Sequence, residues 1–234
     1  AVGDTVFSNL ASIVDATLAN GSGDLNLNYI ASVVVGTSDI QKVAVSNVTA
    51  GTFDAPKMET IEISSSTVKS VLTDITSDTL KTLTVTGDKD LTVSNSIDFA
   101  ATANGAVIDG TIDASTFSGK LSVLATTAQT LSVTGGSGDD TISLGARLTK
   151  NDVIDGGAGD DTLSITATAN RDFASHSISN IETVELGVDT NNLTAYNVKD
   201  LGDTVTVAVK ATTTDKDVTI TNRANGNTVK VTND

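Results

Sequence analysis

A nine-residue pattern occurs twice in this chain: Gly135-Gly136-Ser137-Gly138-Asp139-Asp140-Thr141-Ile142-Ser143 and Gly156-Gly157-Ala158-Gly159-Asp160-Asp161-Thr162-Leu163-Ser164. Both copies obey G-G-x-G-x-D-x-U-x, with U a large apolar residue. The glycines permit positive φ and sharp turns that bring backbone carbonyls to a common centre. The apolar residue at the eighth position, Ile142 or Leu163, then points inward from a short strand and anchors the turn to a core. Such a segment cannot continue as helix. It must turn, run briefly as a strand and repeat one level up.

The residues between the copies extend the pattern. Counting back nine from Gly156 gives a degenerate unit, 147–155, with Asp152 at the sixth position and Ile154 at the eighth. Two such units make one coil, so the two intact glycine turns should stack on the same edge. Gly156 follows Gly135 by 21 residues rather than 18, and the three extra residues are expected within Leu144–Lys150. The sixth-position Asp supplies a hard carboxylate oxygen, and carboxylates with carbonyls are the donor set of Ca²⁺. One ion is expected between the stacked turns, held by the side chains of Asp140 and Asp161 and by backbone marked by Gly136, Gly138, Gly157 and Gly159. Asp152 is a further candidate ligand, as is Asp155, although Asp is equally a turn residue without any metal.

The remaining composition fits short strands and many corners. Hydrophobic residues make up 38% and aromatics 3%, with no Trp, so the core should be a narrow stack of Val, Leu, Ile and Ala. Val and Thr favour strands, and the single proline, Pro56, leaves ladders uninterrupted. Of 29 acidic residues only four are Glu; the rest are Asp, a residue of tight turns. The net charge of −15 argues against nucleic-acid binding, which needs a basic footprint, and against docking to anionic lipid. No cysteine is present, so disulfides, thiol catalysis and Cys-based zinc sites are excluded. No apolar run is long enough for a membrane helix, and no signal peptide is visible. The chain opens without Met and stops mid-pattern, which reads as a fragment of something larger.

Phe7, Leu10, Val14 and Leu18 recur at three- and four-residue steps after Asp4, predicting one amphipathic helix over Thr5–Leu18 that Asn20-Gly21 would end. From Leu25 onward, short alternating strands recur, among them Gln41–Val45, Leu91–Val93, Leu121–Leu124, Val205–Val209 and Val218–Ile220. Met58-Glu59-Thr60-Ile61-Glu62-Ile63 is echoed by Ile181-Glu182-Thr183-Val184-Glu185-Leu186, and these two copies hold every Glu of the chain. The glutamates are expected to face solvent between inward apolar residues. The expected fold is all-β, a calcium-binding β-roll or parallel β-solenoid with variable loops. A soft boundary between Ser94 and Gly105 divides it into an irregular portion, 1–100, and a β-roll portion, 101–234, with one continuous domain as the alternative.

Nothing in the sequence points to catalysis. His176 is the sole histidine, expected in a loop or at an edge, and no nucleophile elbow, phosphate loop or zinc-protease motif accompanies it. Arg147, Arg171 and Arg223 are scattered in sequence.

Through Gly135–Ser143, Asp152–Ile154 and Gly156–Ser164 the chain resembles the RTX family, secreted by type I export in Gram-negative bacteria. Its Thr/Val/Ala-rich strands and Asp-rich turns are similar to those of the surface-layer proteins of that family. The resemblance implies a secreted, extracellular, calcium-dependent structural protein, not an enzyme, that self-associates into a two-dimensional lattice on the cell surface. A cell-surface glycolipid or polysaccharide is a candidate anchor. The alternatives are a calcium-stiffened RTX adhesin stalk and the RTX appendage of a secreted hydrolase. An ice-binding solenoid is more remote, because Thr-x-Thr steps such as Thr82-Leu83-Thr84 keep no constant period. Magnesium should replace calcium poorly.

Overall fold

The computed structural model describes residues 3–100, 110–126, 130–167, 171–172, 176–188, 194–198, 205–211, 218–221, 226 and 228–233. The strands are β1 (Thr5–Leu10), β2 (Ala16–Gly21), β3 (Leu25–Tyr29), β4 (Ile40–Val48), β5 (Thr52–Asp54), β6 (Thr60–Ser65), β7 (Ser70–Thr76), β8 (Thr82–Gly87), β9 (Leu91–Asp98), β10 (Gly110–Asp113) and β11 (Leu121–Leu124). They continue as β12 (Leu131–Thr134), β13 (Thr141–Gly145), β14 (Val153–Asp155), β15 (Thr162–Ala167), β16 (Arg171–Asp172), β17 (Ser177–Ser179), β18 (Thr183–Val188), β19 (Thr194–Asn197), β20 (Thr206–Ala211), β21 (Val218–Thr221) and β22 (Thr228–Asn233).

Successive strands alternate between two parallel sheets. The first runs β1-β3-β5-β7-β9-β11-β13-β15-β18-β20-β22 and the second β2-β4-β6-β8-β10-β12-β14-β17, while β16, β19 and β21 form a small third sheet. From β1 to β17 each coil thus contributes one strand to each main sheet, the arrangement of a parallel β-solenoid, and β19 and β21 of the later coils enter the third sheet instead. Thr141 pairs with Thr162 and Thr162 with Thr183, steps of 21 residues. Other steps are longer; Asp90 bonds to Lys120 across 30 residues. Residues 101–109, at the anticipated boundary, lie outside the described residues, and β8–β10 and β9–β11 pair on either side of it.

The core follows from the two-residue side-chain period and the parallel register. In the first sheet Leu72, Val93, Val123, Ile142, Leu163, Val184 and Val207 form one inward row. In the second, Ile61, Leu83, Ile112, Val133 and Ile154 form another. All are buried, each contributing about 1.5–3 kcal/mol of transfer free energy. Like stacks on like, so a thin interior fills without large aromatic side chains.

The N-terminal helix is not formed. Thr5–Leu10 and Ala16–Gly21 are strands β1 and β2, paired in parallel with β3 and β4. Asn9 has φ 59°, Asn20 has φ 57°, and both mark bends rather than helix. The three-and-four spacing arises because Phe7, Leu10 and Val14 line one apolar recess around the first corner. The β-branched Thr5, Val6 and Thr17 gain ladder partners from the adjacent coil, which an isolated helix turn could not offer.

One polar side chain interrupts the second sheet's inward row. Gln41 pairs with Ile61 and is fully buried. Its amide donates to the carbonyls of Val14 and Lys42, both at 2.8 Å, and its oxygen accepts from the Tyr29 hydroxyl. Gln41→Leu removes the acceptor of the Tyr29 hydroxyl proton and the side-chain donor to the Val14 carbonyl, so urea denaturation should show a loss of about 1–3 kcal/mol. Tyr29→Phe should then cost less in the Gln41→Leu background than in the native chain.

Candidate calcium site

Parallel register brings residues at the start of the first-sheet strands into one row at one corner: Leu121, Asp140, Asp161 and Glu182. Each acidic side chain reaches back one coil to the backbone amide of its predecessor. The Leu121 amide donates to Asp140 Oδ1 at 2.8 Å, the Asp140 amide to Asp161 Oδ1 at 2.7 Å, and the Asp161 amide to Glu182 Oε2 at 2.7 Å. Asp140 and Asp161 are each 1% exposed. The second oxygen of Asp140 accepts from the Gly136 amide at 2.7 Å. The second oxygen of Asp161 is buried and accepts no hydrogen bond.

The glycines permit this close stacking. Gly157 has φ 97°, and a Cβ there would lie 2.2 Å from the Gly136 carbonyl oxygen. A Cβ on Gly159 would lie 2.6 Å from the Gly138 carbonyl oxygen. The Ala158 amide bonds to the Gly136 oxygen at 2.9 Å, fixing the upper turn over the lower. The structure therefore brings together six of the residues expected at the site: Gly136 beneath Gly157, Gly138 beneath Gly159, and Asp140 beneath Asp161. The irregularity expected in Leu144–Lys150 begins at Gly145, where β13 shifts register against β15.

Asp152 stands elsewhere. It precedes β14 at the start of the second sheet, buried, with Oδ1 accepting from the Leu131 amide at 2.7 Å and Oδ2 from the Thr149 amide at 2.6 Å. Asp155 accepts from the Gly157 amide and from Asn180 Nδ2. Among the glutamates, Glu62 faces outward and pairs with Lys42 at 3.4 Å. Glu59 departs from the solvent-facing expectation: it is buried, and its Oε2 accepts from the Asp39 amide at 2.9 Å. Glu182 performs the same task at the glycine corner. Sequence reasoning passed over Glu182, yet it lies 21 residues after Asp161, which lies 21 after Asp140.

Burial pushes the Asp161 carboxyl up to about 6, with Asp140, Glu182 and Asp139 adding repulsion against the relief given by the Asp140 amide. Burial also raises Asp140, opposed by the amides of Gly136 and Leu121. Between about pH 4 and about pH 6 the calcium-free folded chain holds a proton on Asp161 that the unfolded chain, at the ordinary value of 3.8, has released. The Asp161 contribution to stability should therefore fall as pH rises from about 4 to about 6. Thermal melts in chelator across that window should show the loss in the native chain and its absence in Asp161→Asn.

The donor set suits calcium. It consists of hard oxygens, includes a buried carboxylate oxygen without a partner, and stands beside a cradle that any Cβ would fill. No group of three or more His, Cys, Asp or Glu side chains arranged for a metal occurs among the described residues. Backbone carbonyls must accordingly supply much of the coordination here. The family described as the RTX calcium-binding nonapeptide repeat, in four copies, matches residues 132–146 and 148–164. This chain carries RTX calcium-binding repeats. The matched residues run from β12 through both glycine turns and include the degenerate unit with Asp152 and Ile154. Calcium is the ion such repeats bind, and they are typical of secreted extracellular proteins. No curated protein and no solved structure matches the chain.

Proposed function

We propose that this chain is structural rather than catalytic: a calcium-fastened solenoid of a bacterial surface layer, secreted and self-associating into a two-dimensional lattice. The observation that carries the reading is the buried Asp140–Asp161 stack with its unpartnered oxygen. In this reading Asp140 and Asp161 hold the ion with backbone oxygens at Gly136, Gly138, Gly157 and Gly159, while Asp152 and Glu59 fasten the opposite corner by their amide bonds. The ion supplies positive charge where two buried carboxylates otherwise repel.

The outer surface supports assembly. Glu62, Thr84, Asp113, Thr134 and Asp155 form one outward row, and Thr141, Thr162, Thr183, Thr206 and Thr228 another. These are repetitive faces of hydroxyls and carboxylates. Copies with a net charge of −15 repel one another, and monovalent salt shortens that repulsion to roughly 8 Å without cross-linking. Calcium bridges carboxylates as well as screening them. Extracellular calcium sites bind at about 10⁻⁴–10⁻³ M, so export from a low-calcium cytosol itself switches assembly on. Electron microscopy should show ordered sheets in millimolar calcium and none in chelator or magnesium. Identical monomers under all three conditions would end the lattice reading.

A further inference from the structure

The glycine corner carries a second column of residues on its solvent side. Asp139 and Asp160 occupy the fifth position of their copies, which the nonapeptide pattern leaves open. Parallel register stacks Asp160 on Asp139 and Asp139 on Lys120. The Lys120 amide in turn donates to Asp90 Oδ1 of the coil below at 3.0 Å. All four residues are exposed. The lower aspartate of each pair ties the coil above it, because Asp139 Oδ1 likewise accepts from the Asp160 amide at 3.0 Å. A Cβ on Gly159 would lie 3.1 Å from that same Asp139 oxygen. The Asp139 carboxylate therefore rests against the upper glycine turn, at the rim of the cradle.

The charges of this outer column reach the buried one. Burial raises Asp140 and the amides of Gly136 and Leu121 lower it; after these, Lys120 draws it down and Asp139 pushes it up. Burial is also the largest influence on Asp161, and Asp139 adds repulsion after Asp140 and Glu182. Lys120 is placed for this effect, since Asp140 Oδ1 accepts from the amide that joins Leu121 to Lys120. Gly138 packs directly onto this lower turn, where its Cβ would lie 2.5 Å from the Gly119 oxygen and 3.0 Å from the Lys120 nitrogen. Asp160 is spelled like Asp139 but stands differently. The corner above it, Asn180–Glu182, has three residues and no glycine turn to receive its side chain. The buried Asp161 Oδ2, which accepts no hydrogen bond, marks where positive charge is wanted.

We propose that the outer column sets the strength of the calcium site: Asp139 strengthens binding by its charge at the rim of the cradle, and Lys120, one coil below, weakens it. A divalent ion between Asp140 and Asp161 is attracted by the first and repelled by the second, over a path only partly filled with water. The two opposed charges keep the site in the weak range that fills outside the cell and stays empty in a low-calcium cytosol. The inference rests on the calcium reading of Asp140 and Asp161 and names the residues that tune it.

Titration calorimetry of calcium chloride into the calcium-free full chain tests the proposal. Asp139→Asn keeps an oxygen for the Asp160 amide, so the turns stay tied while the charge is removed. It should bind calcium about fivefold more weakly than the native chain, and Lys120→Gln about threefold more tightly. Asp160→Asn, the same change at the same place in the pattern, should move the affinity less than Asp139→Asn does. All three variants should keep the native circular dichroism in chelator. Salt at about 1 M, where exposed charges act over only about 3 Å, should shrink both shifts, which a purely structural role would not do. Unchanged affinity in Asp139→Asn or in Lys120→Gln, or an equal loss in Asp160→Asn, would overturn the proposal and leave the ion with Asp140 and Asp161. A native chain that binds no calcium would end the calcium reading itself and this inference with it.

Discussion

In the double variant Asp140→Ala/Asp161→Ala, calcium will no longer raise the melting temperature. For the native chain, calcium at a hundred times its dissociation constant adds about 2.7 kcal/mol, and each kcal/mol moves the midpoint by about 2–4 °C at this size. The variant should lose that whole increment, because these two buried carboxylates stack in register at the glycine turns. In chelator the variant should also be less stable than the native chain. The amides of Leu121, Gly136 and residue 140 lose their acceptors, at about 1–3 kcal/mol each, and removal of two desolvated acids offsets part of this. Asp88→Ala, at an exposed carboxylate paired with Lys89, should respond to calcium as the native chain does. A calcium-dependent shift that survives in the double variant would remove these residues from the site.

Gly157→Ala should destabilise the fold with or without calcium, by about 2–4 kcal/mol. Two penalties coincide there. The residue sits at φ 97°, and its new methyl would lie 2.2 Å from the Gly136 carbonyl oxygen and 3.1 Å from the Gly135 carbonyl carbon. Those obstacles are backbone of the stacked turn, so relief requires the coils to separate. Gly3→Ala, with nothing within 4 Å, is the matched control and should be neutral. Urea unfolding of the three proteins in chelator isolates the steric effect. Equal stability of all three would show that the turns do not stack this closely.

The glycine corner was legible because its spelling is dictated by backbone geometry. No other residue tolerates both the φ at Gly157 and the contact with Gly136. The aliphatic rows were legible for a similar reason, since a period of two with Val, Ile and Leu on one phase has few alternatives. The first twenty residues misled because a solenoid corner returns Phe7, Leu10 and Val14 to one recess, imitating the spacing of a helix face. Pairing with β3 and β4 is non-local, and local periodicity does not register it. The echo between Met58–Ile63 and Ile181–Leu186 was visible, but its meaning was not. Glu59 and Glu182 both bind the amide of the preceding coil, one in the second sheet and one in the first. Alternation within a strand predicts which way Glu62 and Glu185 face. It says nothing of the residue just before the strand, which the corner turns toward its neighbour. The step of 21 residues from Asp140 to Asp161 to Glu182 was the signal that could have identified the row.

The central claim is that a calcium ion lies between the turns 135–140 and 156–161. A crystal structure of the chain grown in millimolar calcium, with anomalous data, addresses it most directly. The account predicts an anomalous peak between the two turns, with Asp161 Oδ2 turned onto it and the neighbouring glycine carbonyls around it. Turns without such a peak, with Asp140 and Asp161 still bonded only to backbone amides, would contradict it.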